Sequence, residues 1–443
     1  MKKSISKAFS SELYICFIFF LAILNWFKVI NYTIYLPILT AIIVVYCFVC
    51  RDSKGLIPII ISLLISNVFA FDKYSPDVSE NIENLNYLLI IICAVLAVIS
   101  MLYFYIKNRR TYDQVSIIGV SLIGIFISFT LSDLFKSKSI DFINVGLVVL
   151  LFYFIRHTID YYKKKESFLP YFSKTMFYFG ITIATQIVAY YAINFTLDAP
   201  LGFGPELGWA NHNGVSMLLI LTIPIACYTL FYTQNPGYFV GMLILITANL
   251  LTTSRGGILS MVIMIPLLIL NNYRKYHSRR DFFRGLFITV IFFLILFFAF
   301  QPYFIKVLEM LFYDGFNDSG RFDLWRQAVE AFKNSPLFGA GSNIFPADGD
   351  LWRPWFHSTF FDTLGQLGLV GLAAFGFHFV VKYLNMFRDR STFKWFVLAG
   401  FLASGFYGLI DVAYFNFQYL IIYVIILATI EYSSGYISYR RND

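Results

Sequence analysis

Long apolar runs separated by short polar segments cover nearly the whole chain. Most of the runs are close to the roughly 20 residues that a helix needs to cross a bilayer. Fourteen of them can be marked, at residues 13–30, 32–50, 55–71, 86–106, 115–133, 139–156, 168–195, 214–232, 237–253, 256–271, 283–302, 358–387, 394–411 and 413–432. Since 139–156 and 413–432 are the weakest, the pattern predicts an all-α, polytopic membrane protein with about 12–14 transmembrane helices.

The composition agrees with a membrane protein. Of the 443 residues, 58% are hydrophobic and only 14% are charged, whereas a soluble domain has about 25% charged residues. The five cysteines all lie in or beside apolar runs, so no disulfide framework is expected. No pattern of ligand residues along the chain indicates a metal site.

The basic residues predict the orientation in the membrane. Most of the 34 lysines and arginines fall in alternate polar segments, such as 107–110, 156–174 and 274–284, and the segments between them are acidic or neutral. Because cytoplasmic loops are enriched in Lys and Arg, this alternation predicts that both termini are cytoplasmic. The formal net charge of +8 is therefore mostly a topology signal, and no nucleic-acid partner is expected.

Two long segments, 196–213 and 303–357, then face outward. The second contains "RFDLWRQAVEAF", in which apolar residues recur at helical spacing, so it predicts a large extracytoplasmic loop with an amphipathic helix. Asp318 or Ser319 can cap the start of this helix, and Pro336 follows its end. The apolar face, predicted to lie on the membrane surface or to pack on the bundle, consists of Phe322, Trp325, Val329 and Phe332.

Arg321 lies in the first turn of that helix. Free N–H groups give a helix N-terminus partial positive charge, so an arginine added there creates an anion site rather than a stabilised helix end. Arg326, five residues further on, is expected to face water. An ion pair of Arg321 with Asp318 or Asp323 is the alternative. The loop as a whole is net acidic, so individually placed arginines would have to bind an anion there.

A second arginine of interest lies in "LTTSRGGILS", residues 251–260. Residues 237–271 contain one charge, Arg255, and as a single helix they would exceed the roughly 30 Å of a hydrocarbon core. A turn at 254–257 would divide them into two helices and place Arg255 near the outer membrane surface. A guanidinium at that depth suits a phosphate, which it can bind through two parallel hydrogen bonds. Snorkelling to lipid headgroups is the alternative.

His357 is the candidate general base. It precedes "STFFDTLGQLGLVG", in which Thr359 and Asp362 have the spacing of a capping box and predict the start of a helix. The positive end of that helix disfavours an imidazolium and favours the neutral ring that a general base needs. A histidine that only lies at the membrane interface is the alternative, and His212 in "WANHNGV" is the rival base on the outer side.

Taken in order, these motifs resemble the O-antigen ligase/polymerase superfamily. The resemblance covers about residues 200–375, and "NHN" at 211–213 is similar to the Asn-rich start of a helix in that family. The family usually has Asn after the His, whereas this chain has Ser358. The other matching positions are "SRGG" at 254–257, Gly320, Arg321, Trp325, Pro336, Gly339, Gly341, His357, Gly368 and Gly371.

The resemblance implies a glycosyltransferase of the bacterial cytoplasmic (inner) membrane whose active site faces the extracytoplasmic side. His357 would take a proton from the acceptor hydroxyl, and Arg255 and Arg321 would stabilise a pyrophosphate leaving group. The family works without a metal, so the resemblance implies neither a metal nor another cofactor. The residues expected to bind substrate are Arg353, Trp325, Asn211, His212 and Asn213.

The implied reaction joins undecaprenyl-pyrophosphate-linked oligosaccharide units into a surface polysaccharide, O-antigen or capsule, with inversion of the anomeric centre. A ligase that transfers the finished glycan to lipid A core or another final acceptor would use the same residues. A lipid-linked oligosaccharide flippase is the third alternative, disfavoured because polar residues gather in the outer loops and no internal repeat is visible. The expected partners are the donor and acceptor lipids, membrane lipid, a chain-length regulator and a flippase.

The sequence also suggests three regions. Transmembrane helices occupy 1–195, a ligase/polymerase core that contains the loop 303–357 occupies 196–387, and C-terminal transmembrane helices occupy 388–443.

Overall fold

The computed structural model describes residues 2–66, 86–110, 115–137, 141–159, 165–194, 204–275, 278–299, 301–302, 305, 320–342, 356–388 and 391–433. Within these ranges the chain forms helices and no strand, which confirms the all-α prediction. The first helices are α1 (Lys2–Ala8), α2 (Glu12–Trp26), α3 (Tyr32–Val49), α4 (Leu56–Leu63), α5 (Tyr87–Asn108), α6 (Ile117–Ser132), α7 (Asp141–Thr158), α8 (Lys165–Asn194) and α9 (His212–Thr233). They are followed by α10 (Pro236–Leu251), α11 (Arg255–Lys275), α12 (Arg279–Ala299), α13 (Arg321–Asn334), α14 (Thr359–Asp362), α15 (Gly368–Phe387), α16 (Thr392–Ile410) and α17 (Phe417–Ser433).

The chain is a multi-pass membrane protein. Among the described residues, ten helices are long and apolar enough to cross a membrane, and α2, α10 and most of α17 are shorter apolar helices. The long apolar stretch 237–271 is divided into α10 and α11, as its length predicts. The run at 55–71 instead gives only the short helix α4 before the chain leaves the described residues.

Buried side chains from Tyr14 to Ile430 form one continuous core. Among the described spanning helices, α9 is the most enclosed, with 83% of its apolar segment buried. It packs against α8, α10, α11 and α16. Only 17% of α5 is buried, and apolar side chains such as Ile91 and Ile99 point away from the bundle. Apolar surface of this kind is what the hydrocarbon of a bilayer covers.

Several helices meet at one end of the bundle, here called the site end. α9, α11, α15 and α17 begin there, and α10 and α16 terminate there. Hydrogen bonds join these termini: for example, Tyr407 Oη donates to the carbonyl of Asn213 at 3.0 Å, and Gln418 Nε2 donates to the carbonyl of Trp209 at 3.1 Å. α11 ends and α12 begins at the opposite end, and both of these termini are rich in basic residues.

The amphipathic helix α13 is joined to the bundle through the turn that follows it, residues 336–341. This turn lies against the wide π-helical turn between α14 and α15, where the N–H of Gly341 donates to the carbonyl of Gln366 at 3.1 Å. Gly339 and Gly368 are at the contact, with φ of 71° and 65°. A Cβ on Gly339 would lie 2.2 Å from the carbonyl carbon of Gln366, so the two backbones can touch only because this residue is glycine.

A buried aspartate anchors the same segment on its other side. Asp133, directly after α6, accepts hydrogen bonds through Oδ1 from the N–H of Ser342 at 3.1 Å and from its hydroxyl at 2.6 Å. Its Oδ2 accepts from the N–H of Phe142 at 3.1 Å. The loop that carries α13 is therefore attached to both α6 and α7.

Candidate active site

Asp411 follows the last residue of α16 at the site end and connects two of the predicted catalytic residues. Its Oδ1 lies 3.4 Å from Nδ1 of His357, and its Oδ2 lies 3.8 Å from Nη2 of Arg321. The N–H of Val412 donates to Oδ1 at 2.8 Å and fixes the carboxylate. The structure thus brings His357 and Arg321 together, 36 residues apart in sequence, through an acid that neither motif contains.

His357 has an unusual backbone conformation. Its φ is 50°, in the left-handed region that side chains other than glycine seldom adopt. Such a conformation costs energy and persists only where the surroundings determine it. Its side chain is 41% exposed, so the ring is reachable from solvent while Asp411 contacts one of its nitrogens.

The capping box predicted for the following helix is wrong in detail. Ser358, not Thr359, precedes the first helical residue, and its side chain makes no capping hydrogen bond. The hydroxyl of Thr359 instead accepts from the N–H of Ala413 at 3.2 Å, which joins α14 to the Asp411 segment. The carboxylate of Asp362 does turn towards the residues before the helix, where it accepts a hydrogen bond from the N–H of Phe356 at 2.9 Å. The tertiary contact with the end of α16 outcompetes the local cap.

Arg321 begins α13, as predicted, but the cap is different. The residue before it, Gly320, has a φ of 75°, and no side chain caps the helix. The proposed caps Asp318 and Ser319 lie outside the described residues. Asp323 pairs with Arg326 at 3.0 Å, and both of those side chains are largely exposed, as predicted for Arg326. Arg321 pairs with Asp411 and not with Asp323. The alternative that Arg321 forms a local ion pair with Asp323 is therefore wrong.

Trp325 lies one helical turn after Arg321 and packs on α14. Its ring stacks on Phe361 with 4.8 Å between centroids, and its Nε1 is buried without a hydrogen-bond partner. The predicted apolar face is only partly correct, because Phe322 is 54% exposed. The side chains that bury α13 most completely are Leu324 and Ala328, which sit a third of a turn away from the face expected from the aromatic residues.

The segment "SRGG" forms the start of α11, as its sequence predicts. Thr253 has a φ of 57°, and the hydroxyl of Ser254 accepts from the N–H of Gly257 at 3.2 Å, so the chain reverses between α10 and α11. Ser254 Oγ also lies 3.3 Å from Oη of Tyr407, one helical turn before Asp411. Arg255 is exposed at the first position of the helix.

The "NHN" segment contributes to the same end of the bundle mainly through structural contacts. Asn211 caps α9 by accepting from the N–H of Gly214 at 2.8 Å, and the carbonyl of Asn213 accepts from Tyr407. His212 is partly buried and lies against Gly204. A Cβ added to Gly204 would lie only 2.6 Å from the Cβ of His212. Arg353, the remaining predicted substrate-binding residue, lies outside the described residues.

The arrangement suits an anion beside a proton acceptor. The N-termini of α9 and α11 meet around Tyr407, which is close enough to Asp411 and Arg321 to interact with both charges. Helix N-termini and arginines both stabilise negative charge. Within the ranges that the structure describes, no group of three or more His, Cys, Asp or Glu residues could hold a metal ion.

Sequence reasoning missed Asp411 and Tyr407. One signal was present: Asp411 is a lone acid between two apolar runs, at the predicted outer end of both. An ionisable residue in that position is unfavourable in a membrane unless it has a partner, which marks it as a functional candidate. Tyr407 could not have been singled out, because the chain contains 31 tyrosines and most have no such marker.

Comparison with known families gives evidence on function that is independent of the site geometry. Residues 240–376 match the family model described as O-Antigen ligase, which is consistent with the O-antigen ligase/polymerase superfamily. The match includes Arg255, Arg321 and His357, and it ends before Asp411. No curated protein matches the chain. The family supports an enzyme that handles lipid-linked glycans and gives no support to the flippase alternative.

Proposed function

We propose that this protein polymerises undecaprenyl-pyrophosphate-linked oligosaccharide units by inverting, metal-independent glycosyl transfer on the outer face of the bacterial cytoplasmic membrane. The observation that supports it best is the carboxylate of Asp411 between His357 and Arg321. A histidine oriented by a carboxylate is suited to accept a proton, and an arginine beside it is suited to stabilise a departing phosphate.

The first chemical role falls to His357. A carboxylate near Nδ1 favours the tautomer that has its proton on Nδ1, which leaves Nε2 free to accept one. In the proposed step, an acceptor hydroxyl attacks the anomeric carbon of the donor sugar and passes its proton to Nε2. Asp411 then stabilises the imidazolium that forms, and the ring later returns the proton to water.

The second role falls to the arginines. As the new glycosidic bond forms, the bond between the anomeric carbon and the pyrophosphate oxygen breaks, and the leaving group takes the electron pair. Arg255 and Arg321 stabilise the negative charge that develops on it. The contact of Arg321 with Asp411 is long, at 3.8 Å, and its side chain is 30% exposed, so the guanidinium can turn towards a bound pyrophosphate.

A ligase that delivers the glycan to lipid A core or another final acceptor remains the second candidate, since the same residues would perform its chemistry. The polymerase is preferred because the Phe- and Tyr-rich body, with 51 and 31 of these residues, suits two polyprenyl lipids bound at once. A chain-length regulator and a flippase would then be its functional partners.

The proposal is tested with purified protein and lipid-linked repeat units as both donor and acceptor. We expect a ladder of longer lipid-linked glycans, formed equally well in EDTA. Protein that lengthens no chain but transfers the glycan to added lipid A core would be a ligase. Loss of all turnover in EDTA would contradict the metal-independent mechanism.

The role of Arg255 is tested separately. Arg255→Lys keeps the positive charge but loses the planar pair of donors, so we expect turnover nearly as low as that of Arg255→Ala. Arg326→Ala, at an exposed position on α13, should have little effect. If Arg255→Lys restores most of the turnover, Arg255 acts only as a general cation or membrane anchor.

A further inference from the structure

The helix α12 is unusually loosely held. None of its 21 residues is buried, and its buried share is the smallest among the described spanning helices. An apolar cavity of about 160 Å³ separates its first half from α10 and α11. The cavity is lined mainly by aliphatic side chains, among them Met242, Leu243, Ile246, Leu268, Ile269 and Leu286.

One unpaired polar atom also belongs to this cavity. Asn272 lines it, and its Nδ2 donates to the carbonyl of Leu268 at 2.9 Å, but its buried Oδ1 has no hydrogen-bond partner. An unsatisfied buried acceptor is unfavourable, which adds to the weak packing at this end of α11. The cavity is therefore mostly apolar, and its polar lining consists of Asn272, Thr289 and Asp281, whose carboxylate pairs with Arg284.

The other face of α12 has the same amphiphilic character. A groove there is lined by Arg280 and Arg284, with Phe283, Phe287 and Val290 beside and beyond them along the helix. Arg279 lies over the ring of Tyr273 at 5.8 Å, and Arg284 makes only an exposed contact of 3.3 Å with Asp281. The first turns of α12 thus carry arginines, and the helix has an apolar surface on each of two sides.

We propose that one anionic phospholipid occupies this site, with its phosphate at Arg280 and Arg284 and its acyl chains on the two sides of α12. One chain would fill the cavity against α10 and α11, and the other would lie along Phe283, Phe287 and Val290 on the opposite side of the helix. The lipid would belong to the leaflet opposite the candidate active site, which is the cytoplasmic leaflet in the predicted orientation. It would hold α12, the helix that leads to the loop carrying Arg321, against the bundle.

Charge favours this occupant over two others. A second copy of the chain would bring an equally cationic surface to the same place, and like charges repel. The lipid carrier of the glycan would have its pyrophosphate at the site end, at the far side of the membrane. Anionic phospholipid, by contrast, is attracted to clustered arginines at a membrane surface.

Native mass spectrometry of the purified full-length protein tests the proposal. The protein is titrated with phosphatidylglycerol and, in parallel, with phosphatidylcholine of the same chain length. We expect retained phosphatidylglycerol and little phosphatidylcholine. Arg280→Gln with Arg284→Gln should weaken phosphatidylglycerol binding roughly tenfold or more, since each arginine contributes separately.

Two further variants distinguish the site from general attraction. Lys107→Gln with Arg109→Gln removes the same charge at another polar segment and should leave binding unchanged. Gly285→Leu should also reduce binding by filling the cavity, and its Cβ has room, because the nearest atom is 3.8 Å away in Phe239. Equal binding of both lipids, unchanged binding by the double glutamine variant, or a dimer that persists in phosphatidylcholine would overturn the proposal.

Discussion

Asp411 serves two residues with different chemistry, because one carboxylate oxygen contacts the His357 ring and the other contacts the Arg321 guanidinium. The backbone of Val412 fixes the carboxylate, and the carbonyl of Asp411 accepts from the N–H of Thr359 at 3.3 Å. The acid therefore orients the histidine both directly and through the start of α14. In the proposed reaction it is a positioning residue that also stabilises the protonated ring.

Asp411→Asn is the matched test of this role. The amide keeps the size of the side chain but presents neither the charge nor two equivalent acceptors, so the favoured tautomer of His357 is lost. We expect turnover to fall roughly 10²–10⁴-fold, the range typical of general-base catalysis, while the Michaelis constant changes little. Asp323→Asn, whose partner Arg326 is exposed, is the control and should behave as the parent. Near-normal turnover of Asp411→Asn would remove the acid from the mechanism.

Only some of the site residues could be identified from the sequence. His357 and Arg321 could be singled out because each lies at a predicted helix start, whose partial positive charge affects both an anion site and the protonation of a histidine. Asp411 could not be assigned to them, because it lies 54 residues beyond His357 and only the packing of α14 on α16 brings the two together. The left-handed conformation of His357 was not predicted from the sequence either.

At the scale of elements, the contact between the turn 336–341 and the π-helical turn determines where α13 lies. Gly339 and Gly368 face each other there, and Asp133 holds Ser342 on the other side. The helix itself was predicted from its periodicity, and it spans Arg321–Asn334. Its packed face was predicted only in part: Trp325 does pack on Phe361, but the close approach to Gly365 in the π-helical turn is made by the smaller Ala328.

Gly339→Ala should disturb this contact. The added Cβ would lie 2.2 Å from a backbone atom, and φ of 71° is unfavourable for alanine, so strain and overpacking should each cost about 1–3 kcal/mol. We expect a lower midpoint of thermal unfolding in detergent and lower turnover, because Arg321 moves with α13. Gly376→Ala is the control, since a Cβ there meets nothing within 4 Å. An unchanged midpoint for Gly339→Ala would show that the turn is not held in this way.

At the scale of the whole molecule, the apolar pattern correctly predicted an all-α polytopic membrane protein, because spanning a bilayer constrains both the length and the composition of a helix. It could not predict which helix termini meet. That depends on packing, with α9 enclosed at the centre and α5 and α12 at the margin. The orientation of the bundle stays a prediction from the basic residues.

Cysteine labelling tests that orientation. Asn334→Cys at the exposed end of α13 should react with an impermeant thiol reagent added to intact cells, and Ser278→Cys before α12 should not. Ser342 is unsuitable as a labelling position because it is buried against Asp133. The parent chain measures the background, since four of its five cysteines are buried. Labelling of Ser278→Cys alone would place the candidate active site in the cytoplasm and contradict the proposed function.

The most direct test of the account is the turnover of His357→Asn with purified lipid-linked repeat units. Asparagine tolerates the left-handed conformation better than glutamine does, so this variant removes the proton acceptor with the least added strain at φ of 50°. We predict a loss of roughly 10²–10⁴-fold in turnover, with a normal thermal midpoint. His212→Asn, at the rival position, should retain measurable turnover. A folded His357→Asn protein with near-normal turnover, above all beside an inactive His212→Asn, would contradict the account and move the base to the segment before α9.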